Sequence, residues 1–105
     1  MFSRIVEINA KPGKGKELVL ALGDKTLEIL REQPGFVDMI TFQSKDNADH
    51  VIGISFWKTQ EDAIKYNAQA YPRVLELVRN VSEGPGQVRT FDVTLSTAHK
   101  IVRAA

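Results

Sequence analysis

The sequence changes between two hydrophobic periodicities in a fixed order, and this order restricts the fold more than any single motif does. Four stretches carry apolar residues at every second position, which predicts strands, and two further regions carry apolar residues three or four apart, which predicts helices. The order strand–helix–strand–strand–helix–strand is that of a ferredoxin-like α+β domain with an antiparallel sheet. The strands are predicted at residues 2–9, 36–44, 50–58 and 87–97, and the helices at residues 14–33, 59–70 and 73–81.

Turn and cap residues locate the ends of these elements. Pro34 and Gly35 end the first helical region, and the polar segment 45–49 joins the second and third strands as a hairpin. Thr59 is a good N-cap for the second helical region, which Pro72 is expected to interrupt.

The chain of 105 residues suits one domain, which we predict over residues 1–97, with residues 98–105 as a C-terminal tail. It contains no cysteine, which excludes disulfides, thiolate nucleophiles and zinc–thiolate sites. The net charge of +1 gives no basis for binding nucleic acid or an anionic membrane. The N-terminus does not resemble a signal peptide, and no apolar run approaches the ~20 residues that cross a bilayer. We therefore expect a soluble, cytoplasmic protein.

Both faces of the second and third strands carry large apolar side chains, although two helices can cover only one face of a sheet. A sheet-sized apolar patch is rarely left in water, so we predict a homodimer in which two sheets pack face to face. In the alternative, the tail or a long loop covers the patch in a monomer, but the predicted loops are short. In the second strand one face is predicted to carry Phe36, Ile40 and Phe42 and the other Val37 and Met39. In the third strand one face is predicted to carry Ile52, Ile54 and Phe56 and the other Val51 and Trp57. In the first strand, Phe2, Val6 and Ile8 share one face and Ile5 lies on the other.

Segment 33–37 (QPGFV), the polar turn at Asp46 and Asn47, and segment 54–63 (ISFWKTQEDA) resemble the antibiotic biosynthesis monooxygenase domain. The resemblance covers about residues 2–97. It implies a homodimeric α+β barrel with a pocket between the helices and the sheet of each subunit. The family includes cofactor-free oxygenases of aromatic polyketides, quinol oxygenases, haem-degrading enzymes and enzymes that handle small signalling molecules.

Three polar residues of the second helical region are the main catalytic candidates. Tyr66, Asn67 and Tyr71 precede Pro72, and Asn67 and Tyr71 share a helix face. Their polar ends could orient a phenol or hold an enolate, and a tyrosine can act as a proton donor. Alternatively, these residues pack as an amphipathic helix with their hydroxyl groups at the surface. His50 is a further candidate as general base, unless it lies at a solvated strand end.

Trp57 and Phe36 are the candidates for contacting an aromatic substrate, although Trp57 could equally be a core or interface residue. His99 is expected to be an exposed tail residue. No cluster of His, Asp and Glu has the spacing of a metal site, and segment 11–16 lacks the spacing of a phosphate-binding loop. We predict neither a metal nor a cofactor.

The resemblance to the haem-degrading members fails at their characteristic residues. Their tryptophan and histidine fall where this chain has Tyr66 and Glu76, and their first-strand asparagine falls near Val6 and Glu7, with Asn9 close by. The resemblance therefore favours cofactor-free oxygenation of a small aromatic phenol, quinol or anthrone, in which the deprotonated substrate itself donates an electron to oxygen. The alternative is a dimeric protein that binds a small molecule without catalysis or serves as a stress-related accessory protein.

Overall fold

The computed structural model describes residues 1–101 as a four-stranded antiparallel sheet with helices packed on one face. The strand order β2-β3-β1-β4 is ferredoxin-like, which confirms the predicted fold class. Residues 102–105, which end the predicted tail, lie outside the described residues. The elements are β1 (Phe2–Asn9), α1 (Gly15–Ala21), a π-helical segment (Leu22–Thr26), α2 (Leu27–Arg31), β2 (Phe36–Gln43), β3 (His50–Trp57), α3 (Gln60–Gln69), α4 (Tyr71–Val78) and β4 (Gln87–Asp92).

The first helical region is interrupted by a π-helical segment that the prediction of one helix over residues 14–33 missed. Its buried residues Leu18, Leu22, Thr26 and Leu30 are each four positions apart. In a regular α-helix every four-residue step rotates the side chain by about 40° beyond a full turn. The wider π-helical turn reduces this drift, so that all four side chains stay directed toward the sheet. Segments of this kind often lie at functional sites.

The second helical region begins as predicted and is interrupted at Ala70, between α3 and α4. The side chain of Thr59 accepts a hydrogen bond of 3.2 Å from the backbone N–H of Asp62 and so caps α3. The chain leaves helical geometry at Ala70, and Pro72 lies in the first turn of α4. A proline is well tolerated there because the first helical N–H groups have no partner within the helix. Pro72 therefore begins α4 rather than interrupting a helix, and α4 ends at Val78, before the predicted residue 81.

A β-bulge between Phe36 and Asp38 changes which face Phe36 occupies. Phe36 pairs with Trp57 and packs edge-on against its ring, with the centroids 5.7 Å apart, on the helix-covered face. Ile40 and Phe42 lie on the opposite face. The prediction that Phe36 shares a face with Ile40 and Phe42 was wrong, because the extra residue of a bulge breaks the strand alternation.

The face of the sheet opposite the helices, called the open face below, carries seven apolar side chains among polar ones. The chain after β4 crosses one end of it, where His99 Nε2 lies 3.3 Å from Asp38 Oδ2 and its ring lies 6.1 Å from that of Phe56. His99 is half-buried, so its prediction as an exposed residue was wrong. Phe42 and Phe91 are each 51% exposed. The apolar residues of the open face are Ile5, Ile40, Phe42, Ile52, Ile54, Phe56 and Phe91.

β4 is shorter than predicted and ends at Asp92 instead of residue 97. It pairs with β1, and Asp92 is the partner of Phe2. Beyond this pair one further hydrogen bond of 2.9 Å joins Val93 N to the carbonyl of Met1. Residues 93–97 are not part of a strand, although their sequence alternates.

No helix within residues 1–101 has the length and apolarity needed to cross a membrane. The cytoplasmic location stays a prediction.

Gly35 provides a test of how the first helical region connects to β2. Its φ is +80°, and a Cβ there would collide with the side chain of Asp62, which accepts a hydrogen bond from Thr59 Oγ1. Gly13 has a similar φ of +78° but open space around it. We expect Gly13→Ala to lower the free energy of unfolding by about 1 kcal/mol, and Gly35→Ala to lower it by about 1 kcal/mol more through the disturbed cap.

Urea unfolding of both variants at one protein concentration measures this difference. Equal losses of unfolding free energy in the two variants would contradict the contact between the turn at Gly35 and the start of α3.

Candidate functional site

A cavity of about 50 Å³ lies between the helices and the sheet. Gly53 helps to leave it open, because no heavy atom lies within 4 Å of the position that a Cβ of Gly53 would occupy. Most of the lining is aliphatic and comes from β1, β3, the π-helical segment and α4. The polar residues of the lining are Arg4, Thr26, Ser55, Tyr66, Tyr71 and Ser82.

Three aromatic rings and one guanidinium are stacked beside this cavity. The ring of Trp57 stacks on that of Tyr66, with centroids 4.9 Å apart and an interplanar angle of 28°. The guanidinium carbon of Arg4 lies 5.0 Å from the ring centroid of Tyr66 and 4.4 Å from that of Tyr71. These distances are those of cation–π contacts. Arg4 Nη2 also donates a hydrogen bond of 2.8 Å to Asn67 Oδ1.

The break at Ala70 explains how both tyrosines reach the same guanidinium. In a continuous α-helix, side chains five positions apart differ in direction by about 140°. Because the chain leaves helical geometry at Ala70 and restarts at Tyr71, Tyr66 and Tyr71 both contact Arg4. The structure thus brings the three predicted residues Tyr66, Asn67 and Tyr71 together around one cation.

Arg4 is the residue of this site that sequence reasoning missed. It is 3% exposed and occupies β1, the strand between β3 and β4. The signal was present, because Arg4 falls on the same strand parity as the apolar residues Phe2, Val6 and Ile8. A cation within the apolar parity of a strand is unusual, since buried charges are costly unless they are paired.

A second space, called the α3–β4 groove below, adjoins the cavity at Arg4. Its volume is about 330 Å³, and it lies over the part of the sheet that α3 leaves uncovered. Arg4 lines both spaces and so forms part of the wall between them. The other residues of the groove are Phe2, Gln60, Ala63, Ile64, Asn67, Val88 and Thr90.

The two tyrosines are neutral hydrogen-bonding groups at physiological pH. Burial raises the pKa of Tyr66 to about 12, although the positive charge of Arg4 opposes this shift. Burial also raises the pKa of Tyr71 above its ordinary value, again against the effect of Arg4. Both phenols therefore remain protonated well above pH 7, so they can donate a proton or a hydrogen bond but cannot act as resting bases.

Two hydroxyl groups of the cavity lining have no hydrogen-bond partner within residues 1–101. They are Thr26 Oγ1, from the π-helical segment, and the phenolic oxygen of Tyr71, and both atoms are buried. A buried polar group without a partner costs about 1–3 kcal/mol. The two groups are therefore available to a polar atom of a ligand.

The remaining predicted site residues lie elsewhere. His50 Nε2 is 2.6 Å from Glu7 Oε1, on the open face and thus across the sheet from the cavity. Trp57 is fully buried and donates a hydrogen bond of 2.9 Å to Ser55 Oγ, so it supports Tyr66 from behind, and Phe36 packs against Trp57. Within the described part of the chain, the cavity lining includes no histidine and no carboxylate. Residues 1–101 contain no group of three His, Cys, Asp or Glu residues that could hold a metal ion.

Comparisons with known proteins support the resemblance seen in the sequence. A putative antibiotic biosynthesis monooxygenase from Nitrosomonas europaea is 21% identical and superposes with a TM-score of 0.74 over 90% of this chain and 100% of its own. A variant of SnoaB, a cofactor-independent oxygenase from Streptomyces nogalater, is 16% identical with a TM-score of 0.77 over 93% and 97% of the two chains. A putative antibiotic biosynthesis monooxygenase from Bordetella bronchiseptica is 14% identical with a TM-score of 0.77 over 90% and 97%.

At these identities the solved structures establish the shared fold alone. No curated protein matches the chain in sequence. The sequence model of the antibiotic biosynthesis monooxygenase family, however, matches residues 1–74, which is most of the chain and includes Arg4, Tyr66, Asn67 and Tyr71. The chain therefore belongs to the antibiotic biosynthesis monooxygenase family.

Proposed function

We propose that the protein is a cofactor-free oxygenase of a small aromatic phenol, quinol or anthrone, which it binds between the helices and the sheet. The observation that carries the proposal is the apolar cavity into which neutral tyrosine side chains and the buried Arg4 converge. Mostly apolar pockets with a few placed polar groups are typical small-molecule sites. Family membership and the shared fold with SnoaB, which is described as a cofactor-independent oxygenase, support the same reaction class.

The proposed reaction needs no reductant other than the substrate. In an anthrone, the reacting CH₂ group first loses a proton, and the resulting enolate donates an electron to dioxygen. Recombination forms a carbon–peroxide bond. The O–O bond then breaks, one oxygen atom stays as the new ketone, and the other leaves as water with the two hydrogens of the former CH₂ group. The protein contributes a water-poor site, positioning and hydrogen bonds.

Volume decides where the substrate would lie. A cavity of about 150 Å³ is needed to hold even benzene comfortably, and the cavity beside Gly53 has about 50 Å³. We therefore assign the aromatic body to the α3–β4 groove, which has about 330 Å³. The reacting edge then passes Arg4 and points toward Tyr66 and Tyr71. Asn67 lines the groove and holds the guanidinium of Arg4 by its amide oxygen.

We also propose that the active form is a homodimer joined through the open face. The half-exposed Phe42 and Phe91 would lose contact with water in such a dimer. The chain after β4 covers one end of this face at His99, and the remainder would be covered by the second copy.

A second candidate function is binding of a small aromatic molecule without turnover. The described residues of the cavity lining include no histidine and no carboxylate, which favours it because these groups are the usual general bases. Native mass spectrometry of protein purified from its source distinguishes the two. A retained aromatic compound that the protein does not convert under oxygen supports binding alone.

Oxygen consumption with a panel of quinols and anthrones tests the proposed reaction and its place. We expect turnover above the rate without protein. Gly53→Val should abolish it, because the new side chain fills the cavity toward which the reacting edge of the substrate points from the groove, and it meets no protein atom at its Cβ. Gly23→Ala is the matched control, since Gly23 also has open space but lies exposed in the π-helical segment, and its turnover should equal that of the wild type.

In the same assay Tyr66→Phe should lower turnover about 100-fold, the lower range for loss of acid–base assistance. Thermal unfolding of each variant separates lost function from lost folding. No oxygen uptake by the wild type across the panel, or full activity in a folded Gly53→Val protein, would contradict the proposed oxygenase site.

Sedimentation at micromolar concentration tests the homodimer. We expect twice the chain mass of 11.7 kDa. Phe42→Glu should shift the protein to monomer, because it replaces a half-exposed aromatic ring of the open face by a charge that the interface would have to bury. Leu20→Glu, at a 55% exposed position of α1 on the other side of the molecule, should leave the dimer intact. A wild-type protein that sediments at the chain mass would overturn this proposal.

A further inference from the structure

Arg4 is a buried cation without a carboxylate partner. It is 3% exposed, and among residues 1–101 no carboxylate forms an ion pair with it. Its hydrogen bond goes to the neutral amide of Asn67. A guanidinium stays protonated in proteins and presents five N–H donors in a rigid fork. The positive charge at the floor of the site is therefore unbalanced by the described part of the chain.

The tyrosine rings compensate this charge incompletely. The faces of Tyr66 and Tyr71 lie 5.0 and 4.4 Å from the guanidinium carbon, and their electron density attracts a cation. A neutral ring removes no net charge, however, and an isolated buried cation remains costly. The free-energy cost of burying an unpaired charge is expected at sites where a bound ligand supplies the opposite charge. Arg4 lines both the cavity and the α3–β4 groove, the two candidate ligand spaces.

The rest of the cavity lining points to the same ligand chemistry. Among residues 1–101 it includes no histidine and no carboxylate, so no described group of the lining can remove a proton from a neutral substrate at physiological pH. A fixed positive charge can instead hold a substrate that is already ionised, or favour its ionised form. The unpartnered hydroxyl groups of Thr26 and Tyr71 lie in the same lining and can donate hydrogen bonds to anionic oxygen atoms.

We infer that Arg4 selects aromatic ligands that carry an anionic oxygen, and that it serves as the counter-ion for that oxygen. The anionic oxygen belongs either to a carboxylate or to an ionised phenol or enol, because both present the same acceptor to a guanidinium. This inference rests on the proposed function for the location of the ligand and adds the charge of the substrate to it.

Calorimetric titration with two pairs of probes tests the inference and distinguishes the two sources of charge. The first pair is 2-naphthoate and the neutral 2-naphthamide. The second is 4-nitrophenol, measured at a pH at which it is ionised, and the neutral 4-nitroanisole. We expect at least one anion to bind about 10-fold or more tighter than its neutral partner, as for a hydrogen bond to a charged group. The pair that shows the preference identifies the source.

Variants locate the preference. Arg4→Gln should bind the anion and its neutral partner about equally. Arg73→Gln is the matched control, because it removes the same charge from an exposed position of α4 and should keep the preference. If Arg4→Gln does not fold, Arg4→Lys keeps the charge without the fork and should retain a reduced preference.

Equal affinity of the wild type for the members of both pairs, with binding lost in Gly53→Val, would overturn the role of Arg4 and leave the proposed site standing. A preference that survives in folded Arg4→Gln would overturn it as well. The absence of binding by all four probes would overturn both the inference and the proposed site.

Discussion

The contact of one buried guanidinium with two tyrosine rings sets the arrangement of the whole site. Arg4 is held on β1, and its two partners come from different helices that meet at Ala70. A continuous helix would direct Tyr66 and Tyr71 too far apart to share one cation. The helix break at Ala70, which Pro72 in the first turn of α4 allows, therefore brings both tyrosine rings to Arg4. The amide oxygen of Asn67 binds the same guanidinium. Tyr66 stacks on Trp57, and Phe36 packs edge-on against Trp57, which connects the site to the core of the domain.

The two faces of the sheet carry different structural features: the cavity lies on one, and the exposed apolar side chains lie on the other. On the helix-covered face, Gly53 leaves room for a cavity, and Arg4 places a charge beside it. On the open face, His50 Nε2 contacts Glu7 Oε1 beside the apolar side chains of Ile5 and Ile52. Because strand alternation sends neighbouring residues to opposite faces, a single strand such as β3 contributes to both. The proposed chemistry and the proposed assembly can therefore change independently through alternate positions of the same strands.

The parts of the fold that depend on local rules were predictable from the sequence. The order of elements, the cap at Thr59 and the hairpin between β2 and β3 follow from periodicity and turn residues, and the structure has them. The bulge at Phe36 and the π-helical segment were missed because both arise from packing over several elements, and no single residue type marks either. The end of β4 at Asp92 was missed because it depends on the pairing of β4 with β1, which the alternation of β4 alone does not contain.

The candidate site was predictable in its helical part and not in its strand part. Tyr66, Asn67 and Tyr71 were singled out as polar residues close together on one helical region, and the structure gathers them around Arg4. Arg4 itself was passed over because a charged residue in a strand is usually assigned to a solvated face. Arg4 alternates in step with Phe2 and Val6, and this strand parity indicates the buried face instead. The placement of His50 across the sheet depended on register, which the sequence leaves open.

A crystal structure of the protein with a bound anionic aromatic compound, such as 2-naphthoate, tests the central claim most directly. The account predicts the ring in the α3–β4 groove, with an anionic oxygen at hydrogen-bond distance from the guanidinium of Arg4 and facing the hydroxyl groups of Thr26 and Tyr71. A ligand that binds on the open face of the sheet, or one that lies in the groove with its anionic oxygen turned away from Arg4, would contradict it.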